Sequence, residues 1–333
     1  MSEKKFHVTA MGAALVDVYA HVNDAQLDAL GSQKGTMTLI DTDQATSMLD
    51  AVQVESKASG GSAANTIAGV AAHGQKTAFI GKVGDDALGR FFVDELKASN
   101  TYFPSRPAVD GSPTGRCIVL ISPDAERTMH TLIGAASTTE SADLDMDVMA
   151  ATACFFSEGY VFDSPSATHA FHASAEKVRA SGGQVAFSLS DPFCVERHLE
   201  KFKTLLDNDV DLVLGNEHEA AVLFGTSDIN AITTAVKSAG YHAVITRGEK
   251  GAVIIMNGEV VEVPAVKGGQ IIDLTGAGDQ FAAGFLSGLA LGKSAADCGH
   301  MGAIAAAEVI SHIGPRPVAD MRALFEQSGV TLN

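Results

Sequence analysis

Cationic side chains are scarce in this sequence. Lys and Arg number 23 against 40 Asp and Glu, which gives a formal net charge of −17 over 333 residues. That balance argues against nucleic acid as a partner, because it repels a phosphodiester backbone. Cysteine is scarce too. Cys117, Cys154, Cys194 and Cys298 show no C-x-x-C spacing, so the common zinc and redox motifs are missing and reduced, buried thiols in a cytoplasmic protein are expected. No apolar run reaches the ~20 residues of a membrane helix. Residues 1–10 lack the apolar core of a signal peptide. The expectation is a cytoplasmic protein without a membrane partner. No repeat, low-complexity tract or obvious linker divides residues 1–333, and an α/β chain of this length can share one sheet.

Two nucleotide-binding motifs are near misses. Gly276-Ala277-Gly278-Asp279-Gln280-Phe281 ends in Phe, so it is not the Gly-x-Gly-x-x-Gly dinucleotide fingerprint. Gly288–Ser294 looks like a Walker A loop, but it is one residue short between the glycines and follows a helical pattern instead of a strand. Both features argue against an NAD-linked oxidoreductase or a P-loop enzyme.

What the chain does hold is the run Asp273-Leu274-Thr275-Gly276-Ala277-Gly278-Asp279. It opens directly into an apolar helix in which Phe281, Phe285 and Leu289 recur every fourth residue. The amides of Gly276, Ala277 and Gly278 then lie at a helix N-terminus, where free donors and the dipole favour an anion. A carboxylate inside an anion site is unusual unless it has chemical work, such as taking a proton from an alcohol that attacks phosphorus. The plain alternative is a turn with Asp279 as helix cap.

Elsewhere the pattern alternates. Strands are expected at His7–Met11, Thr77–Gly81, Ala153–Ser157, Val185–Leu189, Leu212–Leu214, Ala243–Thr246 and Ala252–Met256. Helical periodicity lies near 63–73, 86–99, 165–181, 217–224, 230–239, 279–290 and 295–310. Short apolar strands between helices imply a mostly parallel sheet covered on both faces, with ligands beyond the carboxyl ends of the strands. Segments 13–40 and 114–133 break this pattern. They alternate like strands, the second around an Asp124-Ala125-Glu126 turn.

A second small-residue cluster, Gly60-Gly61-Ser62-Ala63-Ala64-Asn65 through Gly74, reads as a turn entering a helix. With both clusters in view, the chain resembles the ribokinase-like (PfkB) family of sugar and nucleoside kinases over nearly its whole length. The first cluster is similar to that family's amino-terminal signature and the Gly-Ala-Gly-Asp run to its carboxy-terminal one. The resemblance implies a three-layer α/β/α fold with a mostly parallel central sheet, and a small β-sheet lid built from the segments near 13–40 and 114–133. From the pattern alone, a surface hairpin fits those segments equally well.

The resemblance also implies roles. Asp279 is the catalytic base, with Gly276, Ala277 and Gly278 as the anion site. Asp17, Gly61, Asn65 and Glu158 meet the acceptor. Asn216, Thr246, Gly248, Gly251 and Gly278 meet ATP, and residues 305–317 flank its adenine. Asn216 and Glu219, three apart on one helix face, serve Mg²⁺ through water. Read without the resemblance, Asn216 begins a plain helix cap. Asp273 and Thr275 are implied ligands of a monovalent cation such as K⁺. The family usually has Thr where Leu274 stands. Tyr160 and Phe162 are candidates to stack on a base, a choice that the sequence does not make. Arg127 lies by the lid turn and reads first as a solvated charge.

The reading is an ATP- and Mg²⁺-dependent kinase that phosphorylates a primary hydroxyl. Segments Gly35–Asp41 and Val309–Pro317 are most similar to the bacterial adenosine-kinase branch, which favours a nucleoside acceptor, adenosine first. Ribose, fructose and 2-keto-3-deoxygluconate are the sugar alternatives. A non-catalytic nucleoside or sugar sensor is the rival from another class. A homodimer is compatible with the family.

Overall fold

The computed structural model describes residues 4–124, 126–267 and 269–332. Ala125, the centre of the expected 124–126 turn, lies outside them. In chain order the strands are β1 (Phe6–Met11), β2 (Leu15–His21), β3 (Met37–Leu39), β4 (Ser56–Gly60), β5 (Thr77–Ile80), β6 (Thr101–Tyr102), β7 (Gly115–Ile121), β8 (Arg127–Leu132), β9 (Thr152–Glu158), β10 (Gln184–Ser188), β11 (Leu212–Asn216), β12 (His242–Thr246), β13 (Ala252–Met256) and β14 (Glu259–Val263).

Nine of them form one sheet in the order β14-β13-β12-β11-β10-β9-β1-β5-β6. Pairing is parallel from β6 through β12, and antiparallel only where β13 and β14 complete the edge. The physical reason is legible in the side chains. Along a strand, successive residues point to opposite faces. Val185, Phe187, Val213, Ala243 and Ile245 enter one core, with the helices Pro165–Ala180, Pro192–Asn208, Glu217–Phe224 and Ile229–Ala239. Ala186, Leu212, Leu214 and Val244 enter the other, with Ser62–Ala72, Ala87–Ala98, Ala277–Ala290 and Ala295–Val309. Both faces are apolar, so helices must cover both. The result is the three-layer ribokinase-like α/β fold.

The seven expected strands and seven expected helices are all present, with ends shifted by a residue or two. The sequence reading omits the helix Pro192–Asn208. Its periodicity is broken at His198, where φ −119° and ψ 18° kink the helix. It also omits β14, whose run Glu-Val-Val-Glu-Val is mostly exposed on the sheet edge.

The remaining strands form a second, five-stranded sheet in the order β3-β8-β7-β2-β4. A lone surface hairpin is thereby ruled out. The small sheet also reaches beyond the expected 13–40 and 114–133 boundaries, since β4 is one of its edges. Within 13–40 the chain is not all strand, because Asp24–Ala29 is a helix capped by Asn23. One face of this sheet carries Ile118, Leu120 and Leu132, packed with Leu27 and Ala45 from the helices beside it. The register places Asp17, Cys117 and Thr131 side by side on the other face, followed by Tyr19, Val119 and Met129 and then by His21, Ile121 and Arg127. Arg127 reaches the Asp273–Thr275 turn of the main body, so this second face looks toward the carboxyl ends of the main-sheet strands.

Candidate active site

The site is assembled from turns at those carboxyl ends. Gly276 takes a left-handed conformation, φ 79°, and is the N-cap of the helix Ala277–Ala290. A β-carbon there would meet Pro315 at 2.7 Å, so only glycine fits the turn. The helix start has no side-chain cap, which removes the capping explanation for Asp279. The Ala277 amide donates to the Leu274 carbonyl at 3.2 Å, so this residue, expected in the anion site, has its donor engaged by the turn. The Gly276, Gly278 and Asp279 amides have no partner among the described residues. Space opens beyond Gly278. Three free amides at the positive end of a helix form an anion seat.

Asp279 is held from the opposite helix. The Ser62 hydroxyl donates to Oδ1 at 2.7 Å and the Asn65 amide to Oδ2 at 3.1 Å. Burial pushes its carboxyl up to about 6, and these two hydrogen bonds pull it back. Such a group is mostly ionised at neutral pH yet close to it, as a general base should be. Ser62 is the residue that the sequence reading missed. Its signal was its place in the Gly60–Asn65 cluster, but the partner is 217 residues away.

Asp17 projects from β2 on the inward face of the small sheet. Burial raises its carboxyl to about 6, against the nearby charges of Arg316 and Arg127. Asp279 lies close enough to raise it further. Tyr19 lies beside Asp17 at 3.5 Å. Arg316 comes in from the carboxy-terminal loop; its Nε and Nη2 find no partner among the described residues.

Several expected roles are altered by the geometry. Glu158, expected to touch the acceptor, is 1 % exposed. Its two oxygens instead accept the Ala13 and Ala63 amides at 2.8 and 2.6 Å. Gly61, at φ 94°, passes so near Ala13 that a β-carbon would be 2.2 Å from its carbonyl oxygen. Gly251, expected at the nucleotide, is closed off by β14: a β-carbon there would lie 2.0 Å from the Val263 oxygen. Gly248 in the same turn faces open space, and Thr246 ends β12 beside Asn216 at the end of β11. Phe162 belongs to the core, packed in tilted and edge-on contacts with Phe171, Phe187 and Phe202, and cannot stack on a ligand. Tyr160 is half-buried near Asp191 and Glu158, and burial raises its hydroxyl pKa.

Arg127 is no solvated charge. It donates to Asp273 Oδ2 at 2.7 Å and to the Thr275 hydroxyl at 2.6 Å. The Gly314 amide takes Oδ2 as well, and the Thr275 amide and hydroxyl take Oδ1. Every acceptor of Asp273 is thus engaged by a protein donor, and its positive partner is a guanidinium. These residues do not fit a bound monovalent cation in this arrangement.

Asn216 and Glu219 close a capping box. The Asn216 side-chain oxygen accepts the His218 and Glu219 amides, while Glu219 Oε2 accepts the Asn216 amide at 2.9 Å. Both the helix-cap reading and the resemblance expected this spacing. Burial raises the Glu219 carboxyl to about 7, with Asp191 and Asp279 adding to it. Among the described residues no cluster of three or more His, Cys, Asp or Glu could ligate a metal directly. Glu219 Oε1 also accepts the Asn216 side-chain amide, so protein donors engage both carboxylate oxygens, and a divalent ion here would keep its water shell beside the negative charge of Glu219, Asp191 and Asp279.

This fold and this site define a phosphotransferase with an alcohol acceptor. The description "pfkB family carbohydrate kinase" matches residues 25–321, and the chain belongs to that family. It is similar to a solved probable sugar kinase from Rhizobium etli, with 36% identity, coverage of 98% of this chain and 100% of that one, and a TM-score of 0.91. It is equally similar to the solved adenosine kinase from Sinorhizobium meliloti, at 38% identity, 97% and 99% coverage and a TM-score of 0.89. Among characterised sequences, a 5-dehydro-2-deoxygluconokinase from Geobacillus thermodenitrificans is 32% identical over 264 residues, covering 76% of this chain and 78% of that protein. The chain is a carbohydrate or nucleoside kinase, and the family implies use of ATP.

Proposed function

We propose that the protein transfers the γ-phosphoryl group of ATP to the primary 5′-hydroxyl of a nucleoside, with adenosine the favoured acceptor. The observation that carries the chemistry is Asp279, a carboxylate raised toward neutrality beside an open helix N-terminus. Asp17, near Asp279, accepts hydrogen bonds from adjacent acceptor hydroxyls, and Asn65 meets the acceptor beside Asp279, to which its side-chain amide donates at 3.1 Å. Asp279 Oδ takes the proton as the acceptor oxygen attacks phosphorus. The Gly276, Gly278 and Asp279 amides hold the charge of the transferring group. Arg127 brings a guanidinium to the rim of the same turn. A hydrated Mg²⁺ near Glu219 and Asn216 would neutralise the polyphosphate, which a protein of net charge −17 cannot do from its own surface field. The small sheet closes over the acceptor and excludes water.

Two observations favour a nucleoside. One is the likeness to the Sinorhizobium meliloti adenosine kinase over nearly the full length of both chains. The other is the inward face of the small sheet, where Tyr19, Cys117 and Val119 pack with Ala58 and Met129 into an apolar wall beside Asp17. A flat base finds partners on such a wall, whereas a free sugar has little apolar surface to offer it. The second reading, a sugar kinase, rests on the Rhizobium etli and Geobacillus relatives. One phosphorylation assay across adenosine, other nucleosides, ribose, fructose and 2-keto-3-deoxygluconate decides. Turnover of a sugar with none on any nucleoside refutes the first reading. Phosphorylation of none of them, with binding retained, supports the sensor.

A further inference from the structure

Residues 12–61 leave the main body, build three strands of the small sheet, β2 and β4 side by side and β3 on the far edge, and return. The way out, between β1 and β2, passes through Ala13. The way back, from β4 into the helix Ser62–Ala72, passes through Ala63. One side chain takes both amides: Glu158, at the end of β9, with Oε1 on Ala13 and Oε2 on Ala63. The neck they form is tight. A β-carbon on Gly12 would lie 2.7 Å from the Glu158 carboxyl carbon and equally near the Ala63 side chain. The helix Ser62–Ala72 has no cap from its own N-cap residue, Gly61. Glu158, 95 residues away, supplies that cap at the positive end of the dipole. Ala63 sits between Ser62 and Asn65, the two residues that hold Asp279.

We propose that Glu158 is a positioning residue: its carboxylate ties both strands of the neck and thereby couples the seating of the small sheet to the alignment of Ser62 and Asn65 on Asp279. The two partners are both N–H donors, so both oxygens must accept. A protonated carboxyl or an amide in the same place turns one acceptor into a donor facing a donor. Burial and the nearby Asp279 charge raise the Glu158 carboxyl to about 7, so the clasp weakens as pH falls through that value. The ionisable groups that face it are Asp279, Tyr160 and Cys194.

The test is Glu158→Gln, read in two ways. The first reading is amide hydrogen exchange of the unliganded protein. Loss of one buried acceptor should speed exchange at Ala13 or Ala63 by roughly 10- to 100-fold, with distant strands unchanged. The wild type should show the same local loosening at pH 6 relative to pH 8 after correction for intrinsic rates, and the variant should not. The second reading is steady-state kinetics, which rests on the kinase proposal. There kcat should fall at least tenfold while KM for ATP holds. If no acceptor is turned over by the wild type, the kinase reading fails and the exchange arm still decides the clasp. A raised acceptor KM with unchanged exchange would return Glu158 to the acceptor and overturn the proposal. Unchanged exchange with normal kinetics would overturn it too. If Glu158→Gln does not fold, Gly12→Ala crowds the same neck from the other side. It should give the same local exchange and the same fall in kcat, and normal values there count against the coupling.

Discussion

Replacing Asp279 by Asn should stabilise the protein while nearly stopping it. Folding carries the Asp279 carboxyl from 3.8 to about 6, and each pKa unit corresponds to 1.36 kcal/mol. The ionised side chain therefore burdens the folded state by about 3 kcal/mol at neutral pH, even with its two hydrogen bonds made. The sign follows from the direction. The folded pKa is the higher one, so this group's contribution to stability is fully present at low pH and is lost as pH rises from about 4 to about 6. A permanently neutral Asn escapes that loss. It also keeps both partners, because the Ser62 hydroxyl can rotate to accept from the new amide while Asn65 donates to its oxygen. The melting temperature at pH 7 should hold or rise by several degrees, at roughly 2–4 °C per kcal/mol for a chain of this size class. Turnover should fall by roughly 10²–10⁴, the range for a general base, toward the lower end if the proton leaves late in a loose transition state. Acceptor affinity by calorimetry should change little. Near-normal turnover would refute the base assignment. A melting temperature several degrees lower would refute the desolvation argument, because it would mean that the charge itself holds the two helices together.

Three further outcomes are expected. Gly251→Ala should lower the melting temperature strongly, since its φ is 85° and the new carbon would meet the Val263 oxygen at 2.0 Å, whereas Gly248→Ala, with φ 57° and open space, should cost only about 1 kcal/mol; thermal denaturation of the pair checks this. Glu219→Ala should lower kcat and alter its Mg²⁺ dependence far more than it weakens acceptor binding, and full activity with normal Mg²⁺ response would sink that assignment. Exchanging K⁺ for Na⁺ at constant ionic strength should leave initial rates unchanged, because Arg127 already faces Asp273 at 2.7 Å; strict K⁺ dependence would show that the guanidinium gives way to a cation during turnover.

Much of this protein is determined locally. The short strands that are apolar on both faces and the period-3.6 helices between them fix a sheet covered on two faces, because each apolar side must be buried. The Gly276–Asp279 turn and the Asn216–Glu219 box are readable for the same reason: their partners lie within a few residues, and backbone geometry alone sets them. The kink at His198 hid a helix because it breaks the periodicity, although Asp191-Pro192 marks its start with a cap and an N1 proline. What the sequence could not decide is which distant groups meet. Glu158 and Asp17 look alike as candidate acceptor-binding carboxylates, yet one ends β9 consumed by two backbone amides and the other lies within β2 near Asp279. Gly248 and Gly251 share one turn, yet only one is open. Arg127 finds Asp273 146 residues away, and Ser62 finds Asp279 across two packed helices. Hydrogen bonds and desolvation act over a few ångströms of space, not of sequence, so only the packed tertiary structure assigns those partners.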